Sequence, residues 1–118
     1  RPGGAAPARI AAIDKRLNAA EFFIHHEDIR RAQGEWTPRT LPADQEKQLW
    51  NTLKAMRIML LRSHYGTVVL ASCGYGSVSG GKGKTDDVTV VRAVPSELLM
   101  WAFGRDDHAD VRTRTEES

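Results

Sequence analysis

Apolar residues recur at helical spacing over two long stretches of this chain, residues 10 to 33 and 42 to 64. No other feature limits the fold as much. Gly34 gives the first stretch its stop signal. The segment EWTPRTLP, stiffened by Pro38 and Pro42, links it to the second. In the second helix Leu49, Leu53, Met56 and Leu60 recur at spacings of four, three and four along one side, and Gly66 closes it.

The periodicity then changes. TVVLASC, residues 67 to 73, reads as a strand because β-branched residues dominate and turn residues bound it. GYGSVSGGKGKTDD, residues 74 to 87, reads as a glycine-rich loop, and VTVVRAV as a second strand. Pro95 opens a short helix, SELLMWAF, that Gly104 ends. DVRTRT alternates and is a candidate third strand. The expected fold is α+β, with a helical region at 1–65 and a small β-β-α(-β) region at 66–118.

Composition narrows the function classes. Seventeen Lys and Arg stand against 15 Asp and Glu in 118 residues, and the basic residues are interspersed with acids. That balance supplies no strong field for nucleic acid. Cys73 is the single cysteine, so no internal disulfide forms and a reducing, cytoplasmic setting is expected. No apolar run approaches the roughly 20 residues needed to span a bilayer, so no membrane partner is expected. The opening RPGGAAP reads like a loop entered midway, and a preceding N-terminal portion is expected.

The first helix carries the chemistry. At about 100° per residue, Ile10, Ile13, Leu17, Ala20 and Ile24 gather in one sector, with Phe22 and Ile29 in a second. Asp14, Asn18, Glu21 and His25 lie between them, with Asp28 at the border. Lys15, Arg16, His26, Glu27 and Arg30 are assigned to a solvated face. A polar stripe flanked by apolar residues on both sides must be paired or must hold a cation, because burying an unpaired carboxylate is costly. Glu21 and His25 stand one turn apart, where a carboxylate oxygen and an imidazole nitrogen can reach one divalent ion, Zn²⁺ above all. Asn18 or Asp14 is then placed to accept from the imidazole N–H. A Glu-x-x-x-His pair is also an ordinary local arrangement on a partly exposed helix, and that reading stands beside the metal one.

NAAEFFIHHEDIRRAQGEWTPRTLP resembles the actinobacterial proteins related to mycothiol-dependent maleylpyruvate isomerase, within the DinB-like metal-binding superfamily. VTVVRAVPSELLMWAFGR is similar to the end of the same proteins, and the two stretches together cover about half the chain. The resemblance implies that the helical region is part of a DinB-like bundle backed by a small α/β unit. It implies a metal held by three ligands, two of them matching Glu21 and His25. The third is a histidine on an earlier helix to which nothing here corresponds, His64 and His108 lying in the wrong segments. An upstream segment or another chain is therefore expected to complete the site. The resemblance further implies a metal-dependent isomerase or transferase using the thiol cofactor mycothiol on a small organic acid. Arg105 is the position most similar to the arginine that handles the anionic substrate. Capping the preceding helix is the plainer role for the same residue. The alternative function is a non-catalytic metal-binding or protein-interaction domain that keeps the fold alone. A partial bundle would leave the Leu49/Leu53/Met56/Leu60 face uncovered, so a homo-oligomer or association with the upstream part is expected.

The remaining candidates are weaker. GSVSGGKGKT misses the phosphate-loop pattern in both registers: Gly83 stands where a hydroxyl is required, or Val78 where a glycine is required. Cys73 is read as a buried structural thiol, and Trp50 and Trp101 as core. Phe23 falls on the outer face, and Trp36 is expected to pin the first helix to the second.

Overall fold

A computed structural model describes residues 7–116, with side chains for Lys15 and for residues 18–115. The first helix, α1 (Pro7–Arg31), opens on a proline, whose missing N–H costs nothing in a first turn. It closes with Arg30 and Arg31 in its last turn, where cations suit the helix dipole. Helix α2 (Ala43–Leu61) follows the linker, with Asp44 and Glu46 in its first turn. Then come β1 (Thr67–Ser72), β2 (Gly76–Gly81), β3 (Val88–Arg92), α3 (Pro95–Ala102), a 3-10 turn (Asp106–His108) and β4 (Arg112–Glu116). Both long helices, β1, β3, α3 and the alternating tail strand fall where the sequence places them, to within a few residues. The fold is α+β, with three helices and one four-stranded sheet.

The sheet order is β2-β1-β3-β4, with β1 parallel to β3 and the outer pairs antiparallel. Strand β2 corrects the expectation of an unstructured glycine loop over residues 74 to 87. Within the strand only Ser77, Val78 and Ser79 carry side chains, so composition hides it, yet Val78 pairs opposite Leu70 in an ordinary hairpin. Glycine at position 80 has a packing reason. A Cβ there would lie 2.9 Å from the Leu61 Cδ1 and 3.2 Å from the Arg57 carbonyl oxygen, because α2 crosses the sheet at that point.

Burial alternates along β1, with Val68, Leu70 and Ser72 turned inward. One buried cluster joins Ala20 and Ile24 of α1, Trp50, Leu53 and Leu61 of α2, Val91 of β3 and Leu98 to Met100 of α3. The Leu49/Leu53/Met56/Leu60 face is therefore not uncovered. Leu53 and Met56 are buried, and Leu49 and Leu60 pack half-buried on the core. Phe23, read as outward, also packs against this core. The large apolar side chains left in solvent include Phe22, Ile29 and Ile58, at 78%, 60% and 65% exposure. Among the described residues no helix is long and apolar enough to cross a membrane.

The crossing at Gly80 yields the first prediction. Gly80→Val should lower unfolding stability by about 1–3 kcal/mol, since the added carbons meet a helix that cannot retreat without opening the core. Urea denaturation followed by tryptophan fluorescence measures this, and an unchanged midpoint would show that α2 does not approach so closely.

Candidate functional site

Helix α1 is held in place by charge. Glu27 follows Ala20 by seven residues, two turns less roughly 20°, so it continues the buried stripe of Ala20 and Ile24. Arg31 extends the same line four residues later. This corrects the assignment of Glu27 to the solvated face: its exposure is 0%, and that of Arg31 is 1%. The Glu27 carboxylate accepts from Arg30 at 2.7 Å and from Arg31 at 3.1 Å, and it pairs with Arg39 of the linker at 3.0 Å. Arg31 donates through both terminal nitrogens to the two oxygens of Glu97 on α3, each at 2.7 Å, and also to the His108 carbonyl. Glu97 accepts a further bond from the Asp110 N–H at 2.9 Å.

Trp36 lies over the Arg31 guanidinium, 4.5 Å from ring centroid to carbon, and its ring neighbours that of His108. Its place is thus against the charged cluster and the 3-10 turn, rather than between the two long helices. Burial alone works to raise the Glu27 pKa. The hydrogen bonds from Arg30 and Arg31 and the charges of Arg30 and Arg39 outweigh it, holding the carboxyl below its ordinary value. For Arg31, burial lowers the pKa, but the bonds and charges of Glu97 and Glu27 reverse the shift and raise it.

Helix α3 is positioned from both ends. At its start the Glu46 carboxylate of α2 accepts from the Ser96 N–H at 2.8 Å and from the Ser96 hydroxyl at 2.9 Å, supplying the cap that Val94 cannot. At its end Gly104 takes φ 87°, a left-handed conformation that favours glycine. The Gly104 N–H then reaches the Trp101 carbonyl and the Arg105 N–H the Met100 carbonyl, a Schellman closure. That closure delivers Arg105 to α1. Its Nη2 and Nε donate to the two oxygens of Asp28 at 2.9 and 3.2 Å, and its Nη1 donates to the Phe103 carbonyl at 2.6 Å. The hydrogen bond from Arg105 to Asp28 raises the Arg105 pKa, burial opposes the rise, and the charge of Asp28 adds to it. Arg105 thus does serve a helix end, as its plainer reading supposes.

Between these elements lies an open depression of about 480 Å³, lined by Asn18, Glu21, Phe22, Ile24, His25 and Asp28 of α1 and by Phe103 and Arg105. The structure brings Glu21, His25 and Arg105 together on this one surface. Glu21 and His25 are exposed, and neither makes a hydrogen bond or ion pair with another described residue. His26 is exposed but outside the lining. His64 stacks on Trp101 at 5.4 Å and His108 sits beside Trp36, so neither lines the depression. Ile10, Ile13, Leu17 and Asp14 lie outside the residues whose side chains are described. Cys73, read as buried, is exposed in the turn after β1.

The donor set fits a divalent ion only in part. Glu21 and His25 supply one oxygen and one nitrogen at helical spacing, while Asp28 is engaged by Arg105. No group of three His, Cys, Asp or Glu among the described residues is gathered to hold a metal. Comparison of the chain with protein-family models, with curated proteins and with solved structures finds no match.

The charged cluster yields the second prediction. Glu97→Gln leaves Arg31 buried with its charge incompletely met, and stability should fall by about 3–5 kcal/mol. Glu27→Gln should show a distinct pH signature. The folded pKa of Glu27 lies below the unfolded value of about 4.3, so its contribution is complete above that value. It disappears as pH falls through the lowered folded value. The gap between parent and Glu27→Gln should therefore be constant from neutral pH down to about 5 and close below about 4. Denaturation midpoints across pH test this, and a gap that widens in acid would contradict the pairing.

Proposed function

We propose that the depression between α1 and the end of α3 is a metal-assisted site for a small organic acid. In type it is the thiol-dependent isomerase or transferase that the sequence resembles, with mycothiol as the thiol. One observation supports the reading above others: the helical Glu21/His25 pair and Arg105, which reaches α1 from 77 residues beyond Asp28, line the same surface. Glu21 and His25 would hold the ion, zinc being suited to one carboxylate and one imidazole. The other coordination positions fall to groups beyond the described residues. A metal bound there would favour the thiolate form of a thiol brought beside it.

The chain's own groups supply binding and orientation. A guanidinium has five N–H groups, and Asp28 and Phe103 take three of those on Arg105. Two remain for a substrate carboxylate. Asp28 holds the fork at a fixed angle, which trades some net charge for geometry. Phe22 and Phe103 give the depression apolar walls for a carbon skeleton. The exposed Phe22 and Ile29 favour a second reading, a non-catalytic interaction domain whose α1 face packs against another copy or an upstream segment.

Zinc titration followed by the histidine ring signals in NMR tests the first reading, since it detects weak two-donor binding residue by residue. His25 should shift, while His26, His64 and His108 should not. Glu21→Gln should weaken binding about tenfold or more, since losing a ligand costs no less than losing an outer partner that orients one. Acidification should weaken it too, because a protonated imidazole cannot ligate. Equal shifts at His25 and His26, or none up to millimolar zinc, would remove this reading. For the second, sedimentation should show self-association that Phe22→Ser with Ile29→Ser abolishes; a parent that stays monomeric at high micromolar concentration counts against association between copies.

A further inference from the structure

The sheet has a second face that the helices do not use. Because β1 turns Val68, Leu70 and Ser72 toward the core, Thr67, Val69 and Ala71 point the other way. Register carries this across the sheet. Val69 pairs with Val90 and Val90 with Arg114, while Ala71 pairs with Arg92 and Arg92 with Arg112. The outward face therefore shows half-buried Val69, Val88 and Val90 beside three arginines, Arg92, Arg112 and Arg114. Arg92 and Arg112 stand directly opposite each other on neighbouring antiparallel strands, where like charges destabilise the pair. Neither has an ion-pair partner among the described residues, although Asp110 precedes Arg112 by two positions. Arg114 makes an interaction of its own. Facing guanidiniums that no acid among the described residues joins weaken the fold and do nothing for the core.

We infer that this outer sheet face docks an acidic amphipathic helix of a partner protein. Guanidinium forks match carboxylates in bidentate geometry, so a row of Asp or Glu on one helix would neutralise Arg92 and Arg112 together. The valines give the apolar side of such a helix a surface, as helices commonly cover an open sheet face. A nucleic-acid strand fits less well: the outward positions of all four strands carry no aromatic side chain on which a base could stack. The arginines also project from the face and not from a strand edge, so docking of a layer suits them better than addition of a strand.

The test is a titration of the full chain, ¹⁵N-labelled, with a synthetic amphipathic peptide of about 20 residues bearing leucine and glutamate at helical spacing. A matched peptide with glutamine in place of glutamate is the control. Amide shifts should move in residues 67–71, 88–92 and 112–115 with the acidic peptide and not with the control. Arg92→Ala with Arg112→Ala should weaken binding about tenfold or more, the scale of losing paired charges at an interface. Lys82→Ala with Lys84→Ala, exposed cations outside the face, should change it less than about twofold. Arg112→Thr alone should leave the melting temperature level or raise it, because it removes a like-charge pair. No shifts at millimolar peptide, equal weakening by the lysine pair, or tighter binding of a single-stranded oligonucleotide would overturn the inference. So would a clear drop in melting temperature for Arg112→Thr, which would make these arginines structural.

Discussion

The union of Arg31 with Glu27 and Glu97 sets the terms for the rest of the molecule. All three side chains are withdrawn from water, and an isolated charge in that position is unfavourable by several kcal/mol. They are tolerated because each finds its partners in fixed places: the next turn of the same helix, a second helix 66 residues away, and the backbone of the 3-10 turn. An apolar contact would let α1 slide or rotate by a fraction of a turn at little cost. A bidentate guanidinium pair does not. The charged cluster therefore specifies how α1 sits on α3 more sharply than the few apolar side chains the two helices share.

That orientation carries through to the depression. Asp28 follows Glu27 directly, so once Glu27 is buried Asp28 is turned about 100° toward the side where Arg105 arrives. His25 and Glu21 lie about one and two turns back along the same side. The two ion pairs, one buried and one half-exposed, thus tie neighbouring turns of α1 to the two ends of α3, Glu97 in its first turn and Arg105 just past its last. The surface beside them inherits their precision, although Glu21 and His25 are themselves exposed.

The sequence makes some of this legible and hides the rest for physical reasons. Helical periodicity, a terminal glycine and β-branched runs announce α1, α2, α3, β1 and β3, because those signals are local. Strand β2 escapes because glycine at positions 76, 80 and 81 erases the alternation a strand normally writes, and one of those glycines answers to α2. Glu27 and Arg31 escape because a charge is read as solvated by default. Their spacing of seven and eleven from Ala20 is the signal that places them inside. The pairing of Asp28 with Arg105 and the cap that Glu46 lends to Ser96 join distant segments, and no local pattern reports either. Glu21 and His25 are legible as a pair, whereas the surface they share with Arg105 arises from contact between segments far apart in the chain.

The borrowed cap on α3 bears on how the molecule moves. An eight-residue helix is too short to persist alone in water, and its first turn depends on a carboxylate belonging to α2. Glu97 and the turn that carries Arg105 ride on that same short helix. Release of Ser96 by Glu46 would thus free the anchor of Arg31 and the rim of the depression in a single event. Hinges and rims that fail together form one cooperative opening unit. The small helix behaves as a latch, set from the first turn of α2.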